Sequence, residues 1–304
     1  MTEPVRVTVS HDHSKGLFIA ALGGMALTVD IPLIRLADGQ PWSILMLRSG
    51  TTLLAGLIVW AIWRSLTPKA PKLIPGRAGL AVATLYGIGS IAFITAVFNT
   101  TTANLVFILA FNTMFAALLS WLFLGERPRP ATFAAMAAMI GGVGIIVGGS
   151  IGSGHLFGDV LAATSAFCIA SAITISRHSG KDMGFPALIG VVLPFLVAVL
   201  MVWKTGYQVN APWWIIFNGG FIIPISFFCL ATAPKYIPGP EAAMFYLLET
   251  VLAPVWVWLV FNEVPSRDSM IGGTILIVAL VSHSLWQLHQ GRKRRATLAV
   301  RHPA

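Results

Sequence analysis

The stretch "WLFLGERP" at residues 121–128 has a close counterpart in "WLVFNEVP" at 258–265. Each ends a long apolar run with Trp-Leu, and each then turns polar with a Glu two residues before a Pro. A shift of 137 residues, the distance from Trp121 to Trp258, extends the match upstream. Thr113 falls on Thr250, Ala116 on Ala253, Glu126 on Glu263 and Pro128 on Pro265. A shift of 142 lays Gly16 on Gly158 and Arg35 on Arg177. The order of helix, Glu and Pro at one offset indicates that the chain is a repeat of two similar halves.

The medium for those halves follows from composition. Of 304 residues, 56% are hydrophobic and 10% charged, and the mean hydropathy is +0.81. Soluble domains carry about 25% charged residues, so this chain is short of the polar surface needed to face water on all sides. The bilayer is the expected solvent. An ATP-driven machine would need a soluble nucleotide domain, and no polar segment is long enough to form one.

A helix needs roughly 20 apolar residues to cross a bilayer. Breaking the chain at charges, Pro and Gly gives ten such runs: 16–36, 41–63, 79–98, 101–124, 130–149, 158–177, 185–203, 212–233, 239–261 and 269–289. The runs are continuously apolar, which argues against a barrel with alternating strands. The fold class expected is an all-α membrane protein of ten transmembrane helices. Residues 1–15 form a polar N-terminal tail with no apolar core, so the first run reads as a retained helix rather than a cleaved signal. The first repeat spans 16–150, the second 151–290, and a basic tail covers 291–304. Five crossings per repeat force the second copy to enter the membrane inverted, which is the plan of many secondary transporters with a site between their halves.

Lys and Arg orient the bundle. Arg6, Lys15, Arg64, Lys69, Lys72, Arg77, Arg127, Arg129, Arg177, Lys181, Lys235 and the basic tail fall on one side. The other side has Arg35, Lys204 and Arg267. This bias places both termini in the cytoplasm. The net charge of +9 sits in links and tail, where it favours anionic lipid over nucleic acid. Cys168 and Cys229 lie in apolar runs and read as packing residues. His11-Asp12-His13 has metal-ligand residue types on a polar tail, and neither a metal nor a cofactor is expected there or elsewhere.

Polar residues at membrane depth are the candidates for function. Asp30, followed by Pro32, either faces a cavity or lies near the interface. Arg48 could snorkel, pair with Asp30, or grip a solute carboxylate with its two-pronged donor face. Glu249 sits mid-run in helix nine; away from water its neutral form is favoured, so it is a candidate for proton binding and release. A protonated Glu bonded between helices is the alternative. Its repeat partner is Asn112, as Glu241 pairs with Asn104. Asn104, Phe111, Asn112 and Phe115 share a broad sector of helix four that suits a planar or amphipathic solute, or ordinary helix packing. Tyr246 joins this set, with Trp42, Tyr86, Asn99, Asn218 and His283 as weaker candidates. Glu126 and Glu263 read as structural caps at the starts of the helices that follow them. Pro194, Pro224 and Pro254 are expected to interrupt helices seven, eight and nine, and Gly87, Gly89, Gly219 and Gly220 to loosen three and eight. Gly144 and Gly148 of "GGVGIIVGGSIG" are spaced for close helix approach.

The "LGERP" close of helix four, "NEVP" after helix nine, "TTANLVFIL" opening helix four, Arg48 in helix two and the "GD" pair Gly158-Asp159 opening helix six resemble the drug/metabolite transporter superfamily, and within it the EamA-type permeases. Asp30 and Glu249 depart from the more neutral residues of many relatives. The resemblance implies a central cavity worked by alternating access on a small organic solute, with protons as a candidate coupling ion. From family frequency, export of an amino acid or related metabolite leads, with uptake of a planar vitamin-like solute such as riboflavin as the alternative. An intramembrane enzyme ranks lower, because no clustered acids, His ligands or activated nucleophile appear. A bacterial inner membrane is the expected location.

Overall fold

The computed structural model describes residues 9–67, 72–125, 130–151, 153–179, 183–232, 236 and 239–301; among these, the side chains of 9–12, 177, 231–232, 239–244, 246–247, 287–288 and 290–301 stand outside the description. Nine described helices are long and apolar enough to cross a membrane. They are α1 (His13–Leu36), α2 (Pro41–Leu66), α3 (Gly76–Val97), α4 (Thr102–Leu124), α5 (Pro130–Ser150), α6 (Leu156–Ser176), α7 (Gly184–Thr205), α8 (Pro212–Leu230) and α10 (Arg267–Trp286). A further helix, α9 (Gly239–Phe261), completes the ten. The ends fall within a few residues of those expected. The main departure is the basic tail, where α10 continues as helix to Arg301.

The packing respects the repeat. Exchanging the halves, which turns each helix n into n plus five, maps the α3–α6 contact onto α8–α1 and the α4–α6 contact onto α9–α1. The pairs α2–α7, α4–α9 and α5–α10 map onto themselves, and all three are in contact. With five crossings in each half, the two halves run antiparallel. The links α1–α2, α3–α4, α5–α6, α7–α8 and α9–α10 then share one face, called here the Glu263 face. On it the α1–α2 and α7–α8 links meet backbone to backbone, through Gln40 N–H to Gln208 O at 2.9 Å and Asn210 N–H to Asp38 O at 2.9 Å. Large apolar side chains such as Leu122, Phe123 and Trp203 point outward, 72%, 69% and 86% exposed, which suits a hydrocarbon surround.

Proline accounts for three of the irregularities in the helices. Its ring clashes with the carbonyl four residues back and offers that carbonyl no donor. Pro32 points to Thr28, and α1 breaks there into Val9–Leu27 and Asp30–Leu36. Pro194 points to Gly190, and α7 breaks between Gly184–Ile189 and Val192–Thr205. Pro224 points to Gly220, inside a π-helical turn at Asn218–Ile222. Pro254 departs from expectation, since α9 stays a single helix around it. Helix α3 is also unbroken despite Gly87 and Gly89. Helix α4 breaks after Leu109 with no proline nearby; the Thr113 hydroxyl bonds the Ala110 carbonyl at 3.1 Å there.

Helices α5 and α10 approach through different glycines from those expected. A Cβ on Gly144 or Gly148 would meet open space, whereas one on Gly142 would lie 2.7 Å from the Gly272 carbonyl oxygen. Gly142→Val is therefore expected to cost about 1–3 kcal/mol by overpacking, read as a lower unfolding midpoint of the purified protein in detergent. Gly144→Val is expected to leave the midpoint nearly unchanged.

Candidate functional site

Asp30 is the first residue after the break in α1 and is 3% exposed. Arg48, about two turns into α2, is 7% exposed. Asn218 opens the π-helical turn of α8 and is fully buried. These three side chains form a closed ring. Arg48 Nη2 donates to Asp30 Oδ2 at 2.9 Å, and Arg48 Nε donates to Asn218 Oδ1 at 3.1 Å. Asn218 Nδ2 donates to Asp30 Oδ1 at 2.7 Å. The Arg48 guanidinium also lies 5.6 Å from the centre of the Phe93 ring on α3.

The irregularities in α1 and α8 serve this ring. The interruption at Thr28 places Asp30 at a helix start, and the Thr28 hydroxyl accepts from Trp256 Nε1 of α9 at 3.2 Å. The π turn of α8 is pressed against α2, where the Thr52 hydroxyl donates to the Gly219 carbonyl at 2.9 Å. A Cβ on Gly219 would strike the Arg48 backbone, so glycine is what permits the approach.

Glu249 of α9 is half-buried and close enough to Asp30 and Arg48 to feel both charges. Among the described residues no hydrogen bond to its carboxylate is found. The site thus gathers Asp30 and Arg48 from the first half with Asn218 and Glu249 from the second. Its chemistry is that of a buried carboxylate–guanidinium pair, with a second carboxyl group nearby that is in no ion pair among the described residues.

The expected Asn–Phe sector of α4 is divided by the break at Ala110–Phe111. Asn104 faces a separate polar cluster: its Nδ2 donates to Ser150 Oγ at 2.9 Å and its Oδ1 accepts from the Ser269 hydroxyl. Asp159, 1% exposed, joins through the Thr100 hydroxyl. Phe111 and Phe115 meet edge to face at 5.3 Å, and Phe115 meets Phe167 of α6 at 5.5 Å. Asn112 is half-buried below them.

The remaining candidates lie apart. Trp42 packs against the main core, and Tyr86 against a satellite cluster with Val82, Ala172 and Met183. Asn99 bonds the Thr95 carbonyl of its own helix at 2.7 Å. His283 contacts the Thr132 hydroxyl at 2.9 Å. The Tyr246 side chain and all of Glu126 lie outside the described residues.

Glu263 corrects an expectation. It does accept from a helix N-terminus, but from the Thr102 N–H of α4 at 2.8 Å, not from the following helix. Its other oxygen pairs with Arg35. The start of α10 is capped by Ser266, which accepts from Ser269 N–H at 3.1 Å. Ser266, and the cluster of Thr100, Ser150 and Ser269, carried no charge or motif to mark them in the sequence. Asp159 was visible only within the "GD" pair.

Comparison with known proteins gives a consistent picture. The model of the EamA-like transporter family matches residues 14–148 and 156–284. A pseudopaline exporter of Pseudomonas aeruginosa, found in two strains, is 25% identical over 181 residues. The match covers 57% of this chain and 62% of that protein, less than two thirds of its length. A protein of known crystal structure superposes with a TM-score of 0.64 over 90% of this chain and 98% of its own, at 15% identity. At that identity the likeness concerns the fold alone.

Removing one member of a buried ion pair costs about 3–5 kcal/mol, since the other is left uncompensated. Asp30→Ala and Arg48→Ala are each expected to destabilise the purified protein by that order. The double variant is expected to lose clearly less than the two single losses combined, as measured by thermal unfolding in detergent.

Proposed function

Because the chain belongs to the EamA-like transporter family, we propose that it is a secondary active exporter of an amino acid or related metabolite, driven by protons and working by alternating access. The observation that carries this reading is Glu249. It stands half-buried beside the Asp30–Arg48–Asn218 ring, at the seam of two antiparallel halves. In such folds, exposure of the seam alternates as one half rocks against the other.

In the proposed cycle the ring keeps α1, α2 and α8 together while Glu249 exchanges its load. With a proton bound, Glu249 is neutral and tolerates closure away from water. With the proton released, it offers an anion to the ammonium group of an amino-acid-like solute. Proton and solute therefore compete for one carboxyl group, which is the requirement for exchange in opposite directions. The Lys and Arg bias supports cytoplasmic termini in a bacterial inner membrane, with the Glu263 face outward. Export as the direction is supported by the function named for the Pseudomonas aeruginosa relative.

A thermal-shift screen of amino acids and their derivatives, followed by counterflow in proteoliposomes, would identify the solute. Glu249→Gln is then expected to retain a folded protein and to abolish stimulation of transport by a pH gradient. Stimulation equal to that of the wild type would reject the role.

A further inference from the structure

Arg35 lies in the last turn of α1. One Nη of its guanidinium meets the Glu263 carboxylate. The other reaches the carbonyls of Val97 and Thr100 only at 3.5 and 3.4 Å. Among the described residues its Nε is buried with no partner. Beside it α4 begins, with its Thr102 N–H on Glu263 and the hydroxyl of the same Thr102, 1% exposed overall, buried and unpartnered.

This corner therefore holds more donors than acceptors. A guanidinium nitrogen and a helix-start N–H meet on a single carboxylate, and among the described residues two further donors, Arg35 Nε and the Thr102 hydroxyl, are buried without a partner. Buried donors without partners are uncommon because each costs free energy. A cation beside a helix N-terminus is a favourable setting for an anion. Glu263 is the present occupant, held by Arg35 and the Thr102 N–H. It belongs to the non-helical link between α9 and α10, and its side chain is 22% exposed, so it can withdraw without unwinding a helix.

We propose that Arg35, Thr102 and the first turn of α4 form an anion-binding site on the Glu263 face, plugged here by the Glu263 carboxylate and open to a carboxylate or phosphate group when that side chain withdraws. The site stands on its own geometry; that its natural occupant is the travelling solute rests on the transport reading. A solute bearing such a group would be taken over from the seam by Arg35, and Glu263 would return behind it. Nearby Asp159 accepts from the Thr100 hydroxyl and the Asn104 amide.

The test is a thermal-unfolding titration of the purified full chain with sodium formate, inorganic phosphate and sodium chloride at matched ionic strength. Glu263→Ala removes the plug and is expected to gain a saturable rise in midpoint with formate or phosphate, at least tenfold tighter than in wild type. The stronger of the two names the head group of the occupant. In Arg35→Ala/Glu263→Ala the response is expected to vanish. An equal response in the double variant, a response to chloride alone, or no response in Glu263→Ala beyond wild type would overturn the proposal. Should Glu263→Ala fail to fold, Glu263→Gln keeps the plug's shape without its charge and is read by the same titration. No step of this test depends on transport.

Discussion

The interaction on which the structure depends is the ring of Asp30, Arg48 and Asn218. A carboxylate and a guanidinium at membrane depth are each costly. Together they are tolerable only if nearly every donor and acceptor is matched. Asn218 makes the match close, because its amide accepts from Arg48 and donates to Asp30 at once. Since Asp30 and Arg48 come from one half and Asn218 from the other, the requirement to satisfy these groups also holds the halves in register. In lipid the surround is as greasy as the interior, so apolar burial gives little drive for association and a matched polar contact adds to close packing.

The broken helices are what make such a ring possible. A regular α-helix spends its backbone polar groups on itself and presents side chains at fixed intervals. The interruption at Thr28 sets Asp30 at a helix start, and the π turn at Asn218 shifts the phase of α8 so that an amide faces inward among apolar neighbours. Irregular backbone at membrane depth is tolerated where protein or a cavity covers it. Here Thr52 covers the Gly219 carbonyl, and Trp256 reaches the Thr28 hydroxyl.

Much of this was legible in the sequence, for physical reasons. Spans are set by bilayer thickness and composition, so their ends were read to within a few residues. Pairing of Asp30 with Arg48 was one of three readings of Arg48, since charges in an apolar run need partners. Asn218 was ranked low because an uncharged amide in a long apolar run sends no such signal; its position six residues before Pro224 was the available hint. The partner of Glu263 was misjudged because the nearest helix along the chain is α10, whereas the nearest in space is α4. The α4 sector was read as one surface because periodicity assumes an unbroken helix, and nothing at Ala110–Phe111 announced the break.

The contact between α5 and α10 has its own mechanical meaning. Where Gly142 and Gly272 touch, backbone meets backbone with no side chains between them. Side chains can absorb a shear by changing rotamer, but two carbonyl-lined ridges at this distance have no such compliance. The close glycine contact thus ties one helix of each half to the other with little room for a side chain to be inserted between them.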